Sequence, residues 1–187
     1  MTAVFVGGSR RVSRLNEAIR KRLDEVMSRG LTVYVGDANG ADRAIQRYLA
    51  ASNYEPVTVF AIESHLRNNE GGWYVRFVAP PRNAKGYDLF SAKDRVMAEL
   101  ADAGFMLWDG KSRGTLENIC ALLAHEKPIA LYYAPKRRFL NLRSVADFAR
   151  AFPTIALKLQ TNAARSSQPN PLQADLLGIS NSGRNAT

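Results

Sequence analysis

Three short stretches combine glycine with hydroxyl, amide and charged side chains directly after an apolar run. They are Val4-Phe-Val-Gly-Gly-Ser-Arg-Arg11, Val35-Gly-Asp-Ala-Asn-Gly-Ala-Asp42 and Trp108-Asp-Gly-Lys-Ser-Arg-Gly-Thr115. In the first, Gly7 and Gly8 let the backbone turn tightly and approach a ligand without a Cβ in the way. Ser9 and Arg10 add a hydroxyl and a guanidinium fork at the mouth of the next helix. A helix N-terminus carries unpaired N–H groups and partial positive charge, which suits a phosphate. A glycine pair that merely turns the chain is the competing reading of this stretch alone. In the second stretch, Asp37, Asn39 and Asp42 either cap the following helix and shape its turn, or receive the hydroxyls of a ribose. Lys93 and Arg95 follow Ser91, where a capping-box pattern Ser91-Ala-Lys-Asp94 predicts a helix start. Cations in a first turn oppose the helix dipole and are placed to meet an anion.

These residues need elements to hold them. Short apolar runs predict strands over Val4–Val6, Leu31–Gly36, Val57–Ile62, Gly104–Trp108 and Pro128–Tyr133. Helical spacing predicts a helix from near Ser13, with Leu15, Ala18, Ile19, Leu23, Val26 and Met27 on one face and Gly30 as its stop. Further helices are expected around Ala44, Ile45, Tyr48 and Leu49, then Val96, Met97 and Leu100, and then Leu116, Ile119, Cys120 and Leu123. Strands alternating with single helices imply an α/β, Rossmann-like, doubly wound parallel sheet of three layers. Such sheets bind ligands at the carboxyl ends of their strands, where strand order reverses. The turns at Gly7, Gly36 and Gly110 are all expected on that edge, and their convergence is the main functional signal.

Residues 63–90 read as one long irregular connection, in which Trp73, Tyr74, Phe77 and Tyr87 either plug the surface or stack on a base. Ser144 to Phe152 reads as an extra helix, and Thr154 to Leu159 as an edge strand. From Gln160 the chain is expected to be a flexible tail, with Leu172, Leu176, Leu177 and Ile179 available to dock. The domain organisation expected is a binding domain over residues 1–135, an extension over 136–159 and a tail over 160–187.

The chain has 187 residues, 46% of them hydrophobic and 23% charged, as expected of a globular domain. No apolar run approaches the ~20 residues of a membrane span, and no signal-peptide pattern precedes the first strand, so a cytoplasmic protein is expected. Cys120 is the one cysteine and is expected in the core; His65 and His125 lie outside any metal-ligand spacing. A metal centre is not expected. Lys and Arg outnumber Asp and Glu by 26 to 17, a formal charge of +9 that favours anionic partners without choosing among them. Arg20-Lys21-Arg22 suits a solvated helix face; Lys136-Arg137-Arg138, with Arg143 and Arg150, is the better basic patch. Gly110-Lys111-Ser112 does not make a P-loop, because Gly104 lies one residue too far upstream and Phe105 to Trp108 are strand.

The ordered set Gly8-Ser9-Arg10, Gly36-Asp-Ala-Asn-Gly-Ala-Asp42, Lys93-Asp-Arg-Val-Met97 and Trp108-Asp-Gly-Lys-Ser-Arg-Gly-Thr115 resembles the SLOG superfamily. Within it the likeness is to the YspA/YpsA-related branch with the DUF2493 domain, over about residues 3–133. The resemblance implies a Rossmann-like domain binding a nucleotide or nucleotide-derived ligand such as ADP-ribose or NAD. Carried over by position, Gly8, Ser9 and Arg10 line one phosphate turn, and Gly36, Gly40, Ala41 and Asp42 form the second. Asp109, Gly110, Ser112, Gly114 and Thr115 form the third. LOG phosphoribohydrolases of the superfamily use a glutamate after a Gly-Thr pair. Here Asn118 stands in that place and Glu117 is one position early, rotated ~100° around the helix. An amide cannot do the work of that carboxylate. The reading is therefore a nucleotide-binding or sensing domain, with a nucleotide N-glycosidase as the alternative and Asp42, Asp109 and Glu117 as its catalytic candidates. Single-stranded nucleic-acid binding, by analogy with DprA in the same superfamily, is a second alternative. A homodimer is a possible assembly.

Overall fold

The computed structural model describes residues 1–80 and 82–165. In chain order the strands are β1 (Ala3–Gly8), β2 (Thr32–Gly36), β3 (Val57–Ile62), β4 (Tyr74–Val78), β5 (Ala103–Trp108), β6 (Ile129–Tyr133) and β7 (Arg138–Leu142). The helices are α1 (Glu17–Ser28), α2 (Ala41–Ala51), α3 (Gly86–Leu100), α4 (Arg113–Ala124), α5 (Val145–Ala151) and α6 (Pro153–Arg165). One sheet runs in the order β4-β3-β2-β1-β5-β6-β7, parallel except for β7, which pairs antiparallel to β6. This is an α/β, Rossmann-like fold, and strand order reverses between β1 and β5.

Burial on both faces explains why the central strands are continuous apolar runs rather than alternating ones. In β1, Val4 and Val6 join the cluster under α1 and α2, with Ile19, Leu23, Ile45 and Leu49. Phe5, on the opposite face, joins Met97, Met106, Trp108, Ile119 and Phe148 under α3, α4 and α5. Each such side chain contributes roughly 1.5–3 kcal/mol by leaving water. Cys120 is buried in the second cluster, as its spacing implied. The first helix starts later than expected, at Glu17, because the Asn16 side chain accepts the Ile19 N–H and caps it there. It closes at Gly30 in a left-handed conformation.

Three expectations are corrected. The connection over residues 63–90 contains a strand: β4 pairs parallel with β3, from Thr58 against Tyr74 to Ile62 against Val78. It lies at the sheet edge with Tyr74 and Phe77 72% and 53% exposed, so its sequence lacks the burial pattern that marks an inner strand. Helix α3 starts at Gly86, not Ser91; Ser91 Oγ donates to the Asp88 carbonyl inside the helix, and Leu100 is exposed. Lys93 and Arg95 therefore sit in the helix interior and not in its first turn. Thr154 to Leu159 is not a strand but part of α6, which opens on Pro153 at a position that needs no N–H. The alternation Ile155, Leu157, Leu159 imitates a strand, yet Leu157 is 61% exposed while Ala156 is buried and Ile155 and Leu159 pack on the core.

The extra helix α5 holds as read: the Ser144 side chain accepts the Asp147 N–H, and the Asp147 carboxylate accepts the Arg143 N–H. The basic run 136–138 enters β7 after Arg137 turns through a left-handed conformation. The docking leucines Leu172, Leu176 and Leu177, with Ile179, lie outside the described residues. Residues 160–165 belong to α6, so the expected flexible tail does not begin at Gln160.

Candidate functional site

A cleft of about 610 Å³ opens at the carboxyl ends of β1 and β5, where strand order reverses. Its walls are the turn after β1 (Gly8, Arg10, Arg11), the start of α2 (Ala38, Asp42) and the first half of α3 (Gly86, Tyr87, Phe90, Ser91, Lys93, Asp94). The turn into α4 closes it with Asp109, Lys111 to Thr115 and Asn118, and Arg67 reaches in from the connection between β3 and β4.

The first and third glycine turns are stitched together beneath this opening. Buried Ser9 donates its N–H to the Leu107 carbonyl and its hydroxyl to Asp109 Oδ1, at 2.8 and 3.1 Å. Its oxygen also accepts the Asp109 N–H and lies 3.1 Å from Thr115 Oγ1. Asp109 Oδ1 accepts the Lys111 and Ser112 N–H groups at 3.0 and 2.7 Å, folding the turn that launches α4. Ser112 Oγ then caps α4 by accepting the Thr115 N–H. Partial burial pushes the Asp109 carboxyl up, but these two N–H donors, the Ser9 hydroxyl and the nearby Arg11 outweigh it and hold it below the ordinary value. Asp109 stays ionised.

A second constellation forms the floor. Asp37 is buried and turned beneath the cleft, where Arg67 clamps both its oxygens at 2.6 and 3.1 Å and adds a backbone N–H at 3.0 Å. Lys93, also buried, places Nζ 2.6 Å from Asp94 and 3.8 Å from Asp37. Asp42 is 8% exposed and accepts backbone N–H groups of Ala38 and Gly8. Burial pushes its carboxyl up to about 6, with Lys93 pulling down and Asp94 pushing up. Gly36 makes room for this arrangement: a Cβ there would lie 2.5 Å from Asp42 Oδ2 and 2.8 Å from Lys93 Nζ. Gly40, at φ +92°, packs its Cα on the Arg10 backbone, where a Cβ would collide, and so fixes the β1 turn against α2.

The cations divide into spent and free. Lys93 and Arg67 serve the floor carboxylates, and the Arg67 guanidinium lies 4.6 Å over the Phe90 ring. Arg113 pairs with Glu117 at 2.7 Å and covers Tyr87, whose hydroxyl donates to the same carboxylate at 2.6 Å. Burial, together with that hydrogen bond, pushes the Tyr87 hydroxyl far up, so it stays protonated. The Arg10, Arg11 and Lys111 side chains make no hydrogen bond or ion pair among the described residues, although all three line the cleft. Arg95 instead donates to Ser91 Oγ at 3.1 Å.

Of the residues singled out from the sequence, Gly8, Arg10, Asp42, Lys93, Asp109, Ser112, Gly114 and Thr115 come together in the cleft walls. Ser9, Gly7, Gly36, Asp37, Gly40 and Ala41 lie behind or beneath them, and Gly110, at φ +76°, backs onto Tyr133. Arg95 points elsewhere. Glu117 is engaged by Tyr87 and Arg113, whereas Asn118 faces the cleft. Sequence reasoning missed Arg11, Arg67, Phe90 and Lys111. Arg11 and Lys111 sit inside the first and third glycine turns, beside Arg10 and between Gly110 and Ser112; nothing local marks Arg67 or Phe90.

Behind the Arg10 turn a second hollow of about 530 Å³ runs between α1 and α2, lined by Ser13, Arg20, Asn39, Gly40, Arg43, Arg47 and Tyr48 among others. Glu70 pairs with Arg43 and Arg47 at its edge. Among the described residues, no group of three His, Cys, Asp or Glu side chains is arranged to hold a metal ion, and no helix is long and apolar enough to cross a membrane.

No family model and no curated protein matches the sequence. Among solved structures, the chain is similar to DNA processing protein A from Helicobacter pylori, a protein that binds single-stranded DNA. The two are 17% identical with a TM-score of 0.47, over 70% of this chain and 64% of that one. The chain thus spans less than two thirds of the length of that protein.

Proposed function

We propose that the cleft between β1 and β5 binds a nucleotide or nucleotide-derived ligand, of the ADP-ribose, NAD or nucleoside phosphate type, as a sensor or binding domain. The observation that carries this reading is the set of three uncommitted cations, Arg10, Arg11 and Lys111, around the N-terminus of α4 at the strand-order reversal. Phosphate groups gain both fixed N–H dipoles and free guanidinium there. Phe90 and Tyr87 on the opposite wall each carry a guanidinium on one ring face, Arg67 and Arg113, so a base would meet an aromatic and guanidinium surface there. Hydrolysis of the LOG kind is disfavoured, because the amide Asn118 faces the cleft and Glu117 is tied to Tyr87 and Arg113. The N-glycosidase alternative retains one supporting observation: Asp42 is pushed up and Asp109 held down within one cleft, as an acid and a base would be.

Native mass spectrometry with AMP, ADP-ribose, NAD and cyclic nucleotides tests the reading. A nucleotide mass that binds and persists over hours is the expected result; one that decays to base and sugar phosphate makes the protein an enzyme. No nucleotide mass at all refutes the reading. Single-stranded nucleic acid is then the next partner to examine, since the Arg-lined hollow between α1 and α2 continues the basic surface past Arg10. That reading requires affinity to fall steeply between about 50 and 200 mM salt.

A further inference from the structure

The floor of the cleft gathers three carboxylates, Asp37, Asp42 and Asp94, around two cations, Lys93 and Arg67. Arg67 is committed to Asp37 and Lys93 lies closest to Asp94. Asp42 is the one carboxylate of the group with no cation within ion-pair distance among the described residues. What faces it can be named element by element. From α3 come Lys93 and Asp94, from the connection after β3 Arg67, and from the end of β2 Asp37. β1 brings only the Gly8 N–H, and on its own helix Arg43 turns away to Glu70. With every group ionised the cluster carries one negative charge in excess, and a single proton neutralises it. Asp42 lines the cavity where Arg10, Arg11 and Lys111 would draw in an anion, as Asp94, Lys93 and Arg67 do, but of the two floor carboxylates there Asp94 is already paired with Lys93.

We propose that Asp42 contacts the ligand as a carboxylic acid: the cleft takes up its anionic nucleotide ligand together with a proton from solvent, held on Asp42 and shared in a hydrogen bond with the phosphate oxygens. An ionised Asp42 would repel the same oxygens. The inference rests on the nucleotide reading above and adds to it the protonation state and the group that carries it. The geometry of the cluster already leans this way, since burial pushes the Asp42 carboxyl up to about 6 and a minor fraction of it holds the proton at pH 7. A bound anion that raises it by about one further unit brings roughly half to the acid form, a net uptake of ~0.4 proton.

The test is isothermal titration calorimetry of the full chain with ADP-ribose near pH 7, in buffers of low and high ionisation enthalpy. ADP-ribose is chosen because its pyrophosphate has no secondary phosphate ionisation near neutrality. The expected result is a binding heat that depends on the buffer, corresponding to uptake of ~0.4 proton, and its loss in Asp42→Asn. Binding of the wild type without buffer dependence, or unchanged uptake in Asp42→Asn, overturns the inference and leaves the nucleotide reading standing. Absence of any ADP-ribose binding overturns the inference, and the nucleotide reading falls with it only if AMP, NAD and cyclic nucleotides also fail to bind. Should the variant fail to fold, infrared difference spectra of the wild type decide: a protonated-carboxyl band must grow on ligand addition, and its absence overturns the inference.

Discussion

The Asp42 carboxyl makes a stability prediction that needs no ligand. Its ordinary value of 3.8 is raised to about 6 in the folded chain by burial, opposed by Lys93. A folded value above the unfolded one means that its contribution to stability is fully present below pH ~4 and is lost as pH rises through about 6. Ionisation therefore costs the wild type roughly 3 kcal/mol in full, the product of about two pH units and ~1.4 kcal/mol per unit, and most of this falls between pH 4 and 8. Asp42→Asn carries no such titration. Its amide loses an acceptor for the Gly8 or Ala38 N–H, at about 1–3 kcal/mol, but that loss is independent of pH. The pH dependence of the difference is thus cleaner than its absolute value. Urea denaturation of both chains across pH 4–8 should show the stability of the Asp42→Asn variant, relative to the wild type, improving with pH by about 2–3 kcal/mol. A difference that stays flat, or moves in the wild type's favour as pH rises, refutes the claim that Asp42 is buried without a compensating cation.

Other consequences concern the same floor and walls. Lys93→Met should destabilise the fold by about 3–5 kcal/mol in urea denaturation near neutral pH, because it strands Asp94 and Asp37 without the buried ammonium between them. Burial pulls the Lys93 ammonium down, but Asp94, Asp42 and Asp37 together outweigh it and hold it up, so its contribution persists until alkaline pH. Gly36→Ala should cost about 1–3 kcal/mol by thermal or urea unfolding, since the added methyl drives into the Asp42 carboxylate and the Lys93 ammonium. Arg10→Ala and Lys111→Ala should each weaken nucleotide binding on the order of tenfold in titration calorimetry while shifting unfolding by less than about 0.5 kcal/mol, because neither side chain has a partner to lose.

The central sheet was legible because parallel strands covered on both faces leave continuous apolar runs, and Val4-Phe-Val and Gly104 to Trp108 have no other good reading. The edges were not. β4 shows water most of its side chains, so Tyr74-Val-Arg-Phe-Val78 has neither the run of an inner strand nor the clean alternation of a half-buried one. In α6 a two-residue alternation of large apolar side chains outweighed the one local signal that contradicted it, Pro153 at the head of a helix. For α3, a Ser-x-x-Asp pattern copied a helix start within a helix already running from Gly86, because a capping pattern specifies what a first turn needs and not where a chain has already become helical.

The site raises a different difficulty, one of electrostatic pairing. Composition counts cations, but only an uncommitted cation near an opening can hold a ligand. Lys93 drew notice as a charge waiting for an anion; folding supplies that anion from Asp94 and Asp37, which lie one and fifty-six positions away in the chain. Arg67 is consumed by Asp37 and Arg113 by Glu117. Among the described residues of the cleft, the three side chains without an ion pair, Arg10, Arg11 and Lys111, stand on tight turns whose own oxygens are already satisfied: Ser9 and Asp109 spend their acceptors on backbone N–H groups and on each other. A turn that closes its hydrogen bonds internally leaves its neighbouring cations nothing to pair with. On the proposed reading, the glycine turns and not only the basic runs at Arg20 or Lys136 are where an anion would be received.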